Sequence, residues 1–524
     1  MAAESILSTN FCVFSRLPIY IPFEGAVLIT KTIFLDYLIC RKNCWLKVHR
    51  PEFIEAFALS ELELQLLEQG DDVERAARML FPAGVLVVKT GADAVRETQE
   101  LMAKGATIFQ AAFSSGGFFV RCDVISPAPE GAWDLFEIKG NNALKEGIDD
   151  RDHITDLTFQ AIVAERAGVT LRNRTVILLN KTYVRSGALD VDRLLQQMEC
   201  SPGVATKHPD TTRAMDEALV YLKQTDEPQD GCDCHYKGRS RQCSTFPYSH
   251  PDVPAYSVHD IVRIGASKKK LADLIDRGIF NLEGIPEEFN LSRAQKNQVY
   301  VAKTGQSIID KVRIREALAS YQWPLHFLDY ETFAPAIPMF DGYGPYQPIP
   351  FQFSLHILTG PDAEPAHFEF LHDELSDPTG DVVRLLDEHI GADGSVIVWY
   401  APFERGVNTE MAARCPNLAT VLTRINGQIR DLRDIFVDQH YVHEGFKGST
   451  SIKAVLPVLV PDLSYEHLDI KNGGIASARW SEMITTTDGA ERSAISGALK
   501  DYCELDTFAM YAIWKELNAI ALSQ

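Results

Sequence analysis

His326-Phe327-Leu328-Asp329-Tyr330-Glu331-Thr332 is the stretch on which the reading of the last third of this chain turns. LHFLDYETF (325–333) reads as a strand, and its period of two puts Asp329 and Glu331 on one face. Two like charges side by side are costly unless a cation neutralises them, and a hard divalent cation with oxygen ligands does so. A second stretch, SAISGALKDYCELDTFAMYAIWKEL (493–517), reads as a long terminal helix. Leu499, Tyr502, Asp506, Met510 and Ile513 form one stripe at helical spacing, and Asp506 interrupts its apolar face. A carboxylate there needs a partner, and a metal is a good one. Tyr502, one turn earlier, could position an attacking water. The plain alternative is an ion pair or a helix-surface aspartate.

Around these two stretches the last part of the chain alternates. FQFSLHIL (351–358) and SVIVWY (395–400) read as strands, and DVVRLLDEHIG (381–391) and FERGVNTEMAARC (403–415) as helices. Residues 31–225 alternate in the same way: GGFFVRCDVIS (116–126), WDLFEIKG (133–140) and RTVILLN (174–180) read as strands, ITDLTFQAIVAERAG (154–168) as a helix. Between the two regions, residues 226–256 are rich in Gly, Pro, Ser and Cys, and 257–318 read as helical. The simplest parse is an N-terminal extension (1–28), an α/β domain (29–225), a Cys-rich segment (226–256), a helical connector (257–318) and a second α/β domain (319–524).

Composition agrees with two or three domains: 524 residues, 46% of them hydrophobic, exceed what one core organises. No apolar run of about 18 residues predicts a membrane span, and the start of the chain lacks the basic region and cleavage site of a signal peptide. Ten cysteines without a secretion signal predict a reducing cytoplasm rather than disulfides. The net charge of −21 disfavours non-specific binding to nucleic acid. Clustered carboxylates at metal sites contribute to that charge, and a basic groove can exist on an acidic protein.

The first α/β region carries its own candidate site. Asp123 ends one predicted strand, and Glu137-Ile138-Lys139 lies on the next. Asp123 and Glu137 could converge on one metal, with Lys139 holding a phosphate or a water. Gln160 follows on a helix. A solvent-facing strand edge with a salt bridge is the alternative. Cys232, Cys234 and Cys243 cluster in the loop-rich segment; with one distant thiol, Cys40 or Cys44, they would make a four-thiolate site suited to an iron–sulfur cluster or zinc. His235 is a substitute ligand. Cys12, Cys122, Cys200, Cys415 and Cys503 read as free thiols, and Tyr248 and His250 as structural.

These motifs resemble known families. Asp329-x-Glu331 with Tyr502-x-x-x-Asp506 resembles the DEDD exonucleases of the RNase H-like fold, DnaQ-like and RNase D-like, in their tyrosine variant. The resemblance implies Mg²⁺ or Mn²⁺ at two sites and 3′-to-5′ removal of nucleotides, with Asp329, Glu331, Glu404 and Asp506 as metal ligands. Glu404, in Tyr400-Ala401-Pro402-Phe403-Glu404, stands where that family usually has Asp. Gly70-x-x-x-Glu74, Asp123, Glu137-x-Lys139 and Gln160 resemble the RecB-like branch of the PD-(D/E)XK nucleases. Glu74 takes the place of a His there, and Ala164 that of a Tyr. One early cysteine and three later ones resemble the CRISPR-associated and AddB-type nucleases, which implies a 4Fe-4S cluster on Cys40, Cys232, Cys234 and Cys243, with Zn²⁺ as the alternative. The whole order, with PFQFSLH at 350–356 and GSTSIK at 448–453, resembles a bacterial family of uncharacterised two-domain nucleases. GIFNLEGIP (278–286) looks like a helix-hairpin-helix or a plain linker.

The resulting expectation is a metal-dependent nuclease acting on nucleic acid, DNA more than RNA. Two alternatives stand beside it: a nucleic-acid-binding or scaffold protein with a degenerate N-terminal nuclease, favoured by Glu74 and Ala164, and an RNA-trimming exonuclease with a structural Fe–S module.

Overall fold

The computed structural model describes residues 28–50, 52–55, 61–145, 147 and 152–523; the expected extension at 1–28 lies almost wholly outside them. The chain is mixed α/β, with two main sheets. The first runs β2 (Val85–Leu86), β3 (Ile108–Ser115), β4 (Phe118–Pro127), β5 (Trp133–Lys139), β6 (Leu171–Leu179), β7 (Leu195–Glu199), and β1 (Ile29–Thr30) pairs with β4. β4 starts two residues later than expected, because Gly116 and Gly117 take positive φ and turn the chain between β3 and β4.

Between β1 and β2 come α1 (Lys31–Ile39), α2 (Arg41–His49) and α3 (Glu61–Arg78). β5 and β6 are parallel, so the chain must cross over between them, and α4 (His153–Arg166) makes the crossing. α4 is buried along most of its length, with Phe159 stacked on Phe34 of α1 at 4.9 Å.

The expected connector is only partly helical. It holds 3₁₀ turns, the helices α5 (Lys268–Asp276) and α6 (Arg293–Thr304), β8 (Ile308–Ile309), which pairs with β14 (Tyr441–Val442), and most of a third helix, Lys311–Ala319. The helix Lys311–Ala319 buries Ile314 and Leu318 in the same cluster as Leu325 and Phe327. This helix thus shares its core with the second sheet.

Its sheet runs β11 (Ala366–Leu371), β10 (Ile349–Leu358), β9 (Leu325–Phe333), β12 (Ser395–Val398), β13 (Ile429–Asp431), antiparallel on the β10 side and parallel on the β12 side. The helices that matter here are α7 (Ala401–Arg414), α8 (Gly473–Met483) and α9 (Gly489–Leu522). β12 is shorter than SVIVWY because Tyr400 already caps α7. Leu325, Phe327 and Phe333 of β9 pack into the cluster that contains Leu499, Met510 and Ile513 of α9. Leu328 and Tyr330 pack on the opposite side with Val407 and Met411 of α7. The period of two thus sends Asp329 and Glu331 toward α9.

Trp480 of α8 closes this layer: it is fully buried, stacks on Phe351 at 4.7 Å and donates its Nε1–H to His372 O at 2.7 Å. Trp480→Ala should cost about 3–5 kcal/mol, measured by urea unfolding of the full chain.

Candidate metal centres

β9 and α9 bring Asp329, Glu331 and Asp506 together, with one carboxylate oxygen from each within 4.8 Å of the others. Glu331 and Asp506 are buried and Asp329 is half-buried. No ion pair reaches any of the three among the described residues. Burial, reinforced by the mutual charge of Asp506, Glu331 and Glu404, pushes Asp329 well above the usual carboxylate range. Burial and Asp506 do the same to Glu331. Asp506 is pushed up by burial to about 6, restrained by a hydrogen bond from Tyr465 and the charge of Lys453. The donor set is all oxygen, crowded and under-neutralised, which is what a hard divalent cation fits.

Glu404 is not one of that group. It sits in the first turn of α7, 2% exposed, and its Oε2 has no hydrogen-bond partner. Its charge is nonetheless felt at Asp329, and burial pushes it up to about 8. An orphaned buried carboxylate oxygen whose charge reaches Asp329 fits a further metal ligand carried on a longer side chain.

Two residues of this centre escaped the sequence reading. Tyr465 donates to Asp506 Oδ1 at 2.6 Å. Tyr502 also favours the Asp506 carboxylate, and its ring lies 6.2 Å from that of Tyr465. Lys453 places its ammonium over both rings, 5.2 and 5.5 Å from their centroids, and bonds to Lys471 O. Lys453 ends the GSTSIK string, a signal that was visible without a role; Tyr465 lies in a segment with no motif.

In the N-terminal unit, Asp123, Glu137, Lys139 and Gln160 also converge, with Glu74 behind them. Lys139 Nζ lies 2.6 Å from Glu137 Oε1, and Gln160 Nε2 2.5 Å from Glu137 Oε2. Asp123 Oδ2 accepts the Ile138 N–H at 2.8 Å. Gln110 links Glu74 (2.7 Å) to Asp123 (3.2 Å), and Arg78 pairs with Glu74 at 2.6 Å. Burial and the Glu137 charge push Asp123 up to about 8. Burial also opposes ionisation of Glu137, but the ammoniums of Lys139 and Lys31 outweigh it and hold that carboxyl well below its ordinary range. Lys31, Gln110 and Asp156 were not anticipated. Asp156 sits four residues before Gln160 on α4, a spacing that could have flagged it.

The third centre is a thiol group. Sγ atoms of Cys40, Cys232, Cys234 and Cys243 all lie within 4.8 Å of one another, and Cys232 is 3.4 Å from both Cys40 and Cys243. This group could hold a metal ion or cluster. Cys44 points away, donating to Ile33 O at 3.3 Å. The ring of His235 is stacked on His250 at 4.2 Å and is not among the four. Around one tetrahedral ion with metal–sulfur bonds of about 2.3 Å, neighbouring sulfurs would be about 3.8 Å apart. The observed spacing is close to that, whereas a four-iron cube holds its thiolates further apart.

Residues 326–451 match a domain of unknown function, DUF2779. No curated protein matches the chain. The matched segment includes Asp329, Glu331 and Glu404, and stops short of Lys453, Tyr465, Tyr502 and Asp506. No helix among the described residues is long and apolar enough to cross a membrane.

Two measurements follow from this geometry. A carboxyl whose folded pKa is raised stabilises the fold fully below its unfolded pKa, and loses that contribution as pH rises through the folded value. Glu404 near about 8 and Asp506 near about 6 should therefore make metal-free protein melt at lower temperature at pH 8.5 than at pH 5.5. Glu404→Gln should melt higher than wild type at pH 8.5, with a gain above about 1 kcal/mol, and the gap should narrow at pH 5.5. At the thiol group, Cys40→Ser should lower the bound metal measured by elemental analysis, and Cys44→Ser should leave it unchanged.

Proposed function

We propose that this chain is a metal-dependent nuclease that acts on nucleic acid, DNA in preference to RNA, and that its cleaving centre is the C-terminal one. The observation that carries the reading is the convergence of Asp329, Glu331 and Asp506 within 4.8 Å, with no protein cation paired to them among the described residues. The β9 strand, the α9 helix and the tyrosines support an RNase H-like, DEDD-type 3′-to-5′ exonuclease. The order of the N-terminal strands and α4 supports a RecB-like PD-(D/E)XK domain. Thiols kept as metal ligands fit a cytoplasmic setting.

Divalent Mg²⁺ or Mn²⁺, when bound, would neutralise the carboxylates and lower the pKa of water. Asp329, Glu331 and Asp506 would hold the ions, with Glu404 as a further ligand. Burial pushes the phenols of Tyr465 and Tyr502 far up, so both remain protonated donors and neither is a general base. Tyr465 fixes one oxygen of Asp506, which sets the direction of the other. Tyr502 would orient the attacking water. Lys453, over both rings, supplies a fixed positive charge facing the carboxylates and suits a phosphate oxygen.

For the thiol group two occupants have support. The resemblance to AddB-type nucleases points to a 4Fe-4S cluster, and the sulfur spacing of 3.4 Å to a single ion such as Zn²⁺. Iron with a broad band near about 400 nm identifies the first, and zinc without iron the second.

The decisive assay incubates the full chain with end-labelled single- and double-stranded DNA and RNA in Mg²⁺ or Mn²⁺. Stepwise shortening from the 3′ end is expected. Asp329→Ala and Asp506→Asn should each lower it by at least about 10²-fold, the scale of losing a charge-stabilising group at a reaction centre; Tyr502→Phe should leave a measurable fraction. Absence of cleavage on every substrate would overturn the reading. Loss only in Glu137→Ala would assign cleavage to the N-terminal centre.

A further inference from the structure

The N-terminal acid centre differs from the C-terminal one in how its charge is met. Lys31 Nζ lies 2.9 Å from Glu137 Oε1 and 3.3 Å from Asp156 Oδ1. Lys139 Nζ lies 2.6 Å from the same Glu137 oxygen and 2.5 Å from Asp156 Oδ2. Gln160 donates to the second oxygen of Glu137 at 2.5 Å and to Asp156 Oδ1 at 2.9 Å. With Gln110 and the Ile138 N–H on Asp123, every carboxylate oxygen of Asp123, Glu137 and Asp156 already has a donor from the protein. Of these donors Lys139 and Gln160 belong to the expected motif. Lys31 is an additional cation.

Lys31 is held in place at both ends of its element. It follows β1 directly, and Ile29 of β1 pairs with Phe118 of β4, the strand that carries Asp123. It opens α1, capped by Thr30, and α1 ends at Cys40 of the thiol group. Its ammonium bridges two carboxylates much as a divalent cation would, without needing water or a further ligand.

We propose that Lys31 is a built-in substitute for the metal at the N-terminal centre, so that Asp123 and Glu137 take no divalent cation while α1 is in place. The site thereby disagrees with the metal its motif implies: a carboxylate shared between two ammoniums offers a cation little, and entry requires Lys31 to leave. This inference concerns a different centre from the proposed cleavage site and holds whether or not that site cleaves.

The test counts Mn²⁺ bound to the full chain by electron paramagnetic resonance titration. Mn²⁺ prefers carboxylate oxygen over thiolate, so the cysteines do not compete for it. Wild type and Asp123→Asn are expected to bind the same number of ions. Lys31→Met is expected to bind about one more, and Lys31→Met with Asp123→Asn to lose it again. Lys31→Gln, which keeps a donor but no charge, is the second variant should the methionine disturb folding, judged by circular dichroism. A lower count in Asp123→Asn than in wild type would overturn the proposal, because the centre would then hold metal with Lys31 present. An unchanged count in folded Lys31→Met and Lys31→Gln would overturn it equally.

Discussion

Three carboxylates cannot share the gap between a buried strand and a buried helix unless something positive shares it with them. Two unit charges about 5 Å apart repel by about 3 kcal/mol at an effective dielectric constant of about 20, and burial adds the cost of lost hydration. β9 and α9 accept this at their centre, where Phe327 and Met510 would otherwise continue one apolar layer. The surrounding contacts make the arrangement unavoidable. Period-two geometry aims Asp329 and Glu331 at the helix, and the helical repeat that buries Leu499 and Ile513 aims Asp506 back at the strand. The packing that stabilises the domain therefore also fixes the ligand geometry, and moving one carboxylate means moving a core element.

The two acid centres resolve the same electrostatic problem in opposite ways. In the N-terminal one the protein provides the positive charge: Lys31 and Lys139 both reach Glu137, and the carboxyl is held ionised. In the C-terminal one the nearest ammonium, Lys453, stands over two tyrosine rings, and the carboxyls are pushed toward their neutral forms. The first is a closed ionic network, stable as it stands. The second is an open one that gains most from a cation arriving from outside.

Much of this was legible in the sequence because alternation and helical stripes are local signals. Asp329, Glu331 and Asp506 were readable from spacing alone, and so was the pairing of Asp123 with Glu137. Cys40 was preferred to Cys44, one helical turn away, but spacing could not exclude Cys44, because the choice depends on a contact to Cys232 across 192 residues. Tyr465 and Lys31 were illegible for a related reason. Each lies outside its motif and is brought in by tertiary packing, Tyr465 by the chain running back over α9 and Lys31 by the short pairing of β1 with β4. The helical reading of 257–318 matches three stretches, Lys268–Asp276, Arg293–Thr304 and the helix from Lys311, but not the rest. A two-residue strand, Ile308–Ile309, carries too little pattern to detect, and its partner Tyr441–Val442 is remote in sequence.

The thiol group bears on more than its own stability. It joins Cys40 to Cys232, 192 residues later, closing a long loop whose entropy cost grows with its length. A bound ion or cluster there would contribute its binding energy to folding. α1 spans about 14 Å from Cys40 to Lys31 at 1.5 Å per residue, a single short rigid element. α1 thus links Cys40 of the thiol group to Lys31, whose ammonium bridges Glu137 and Asp156.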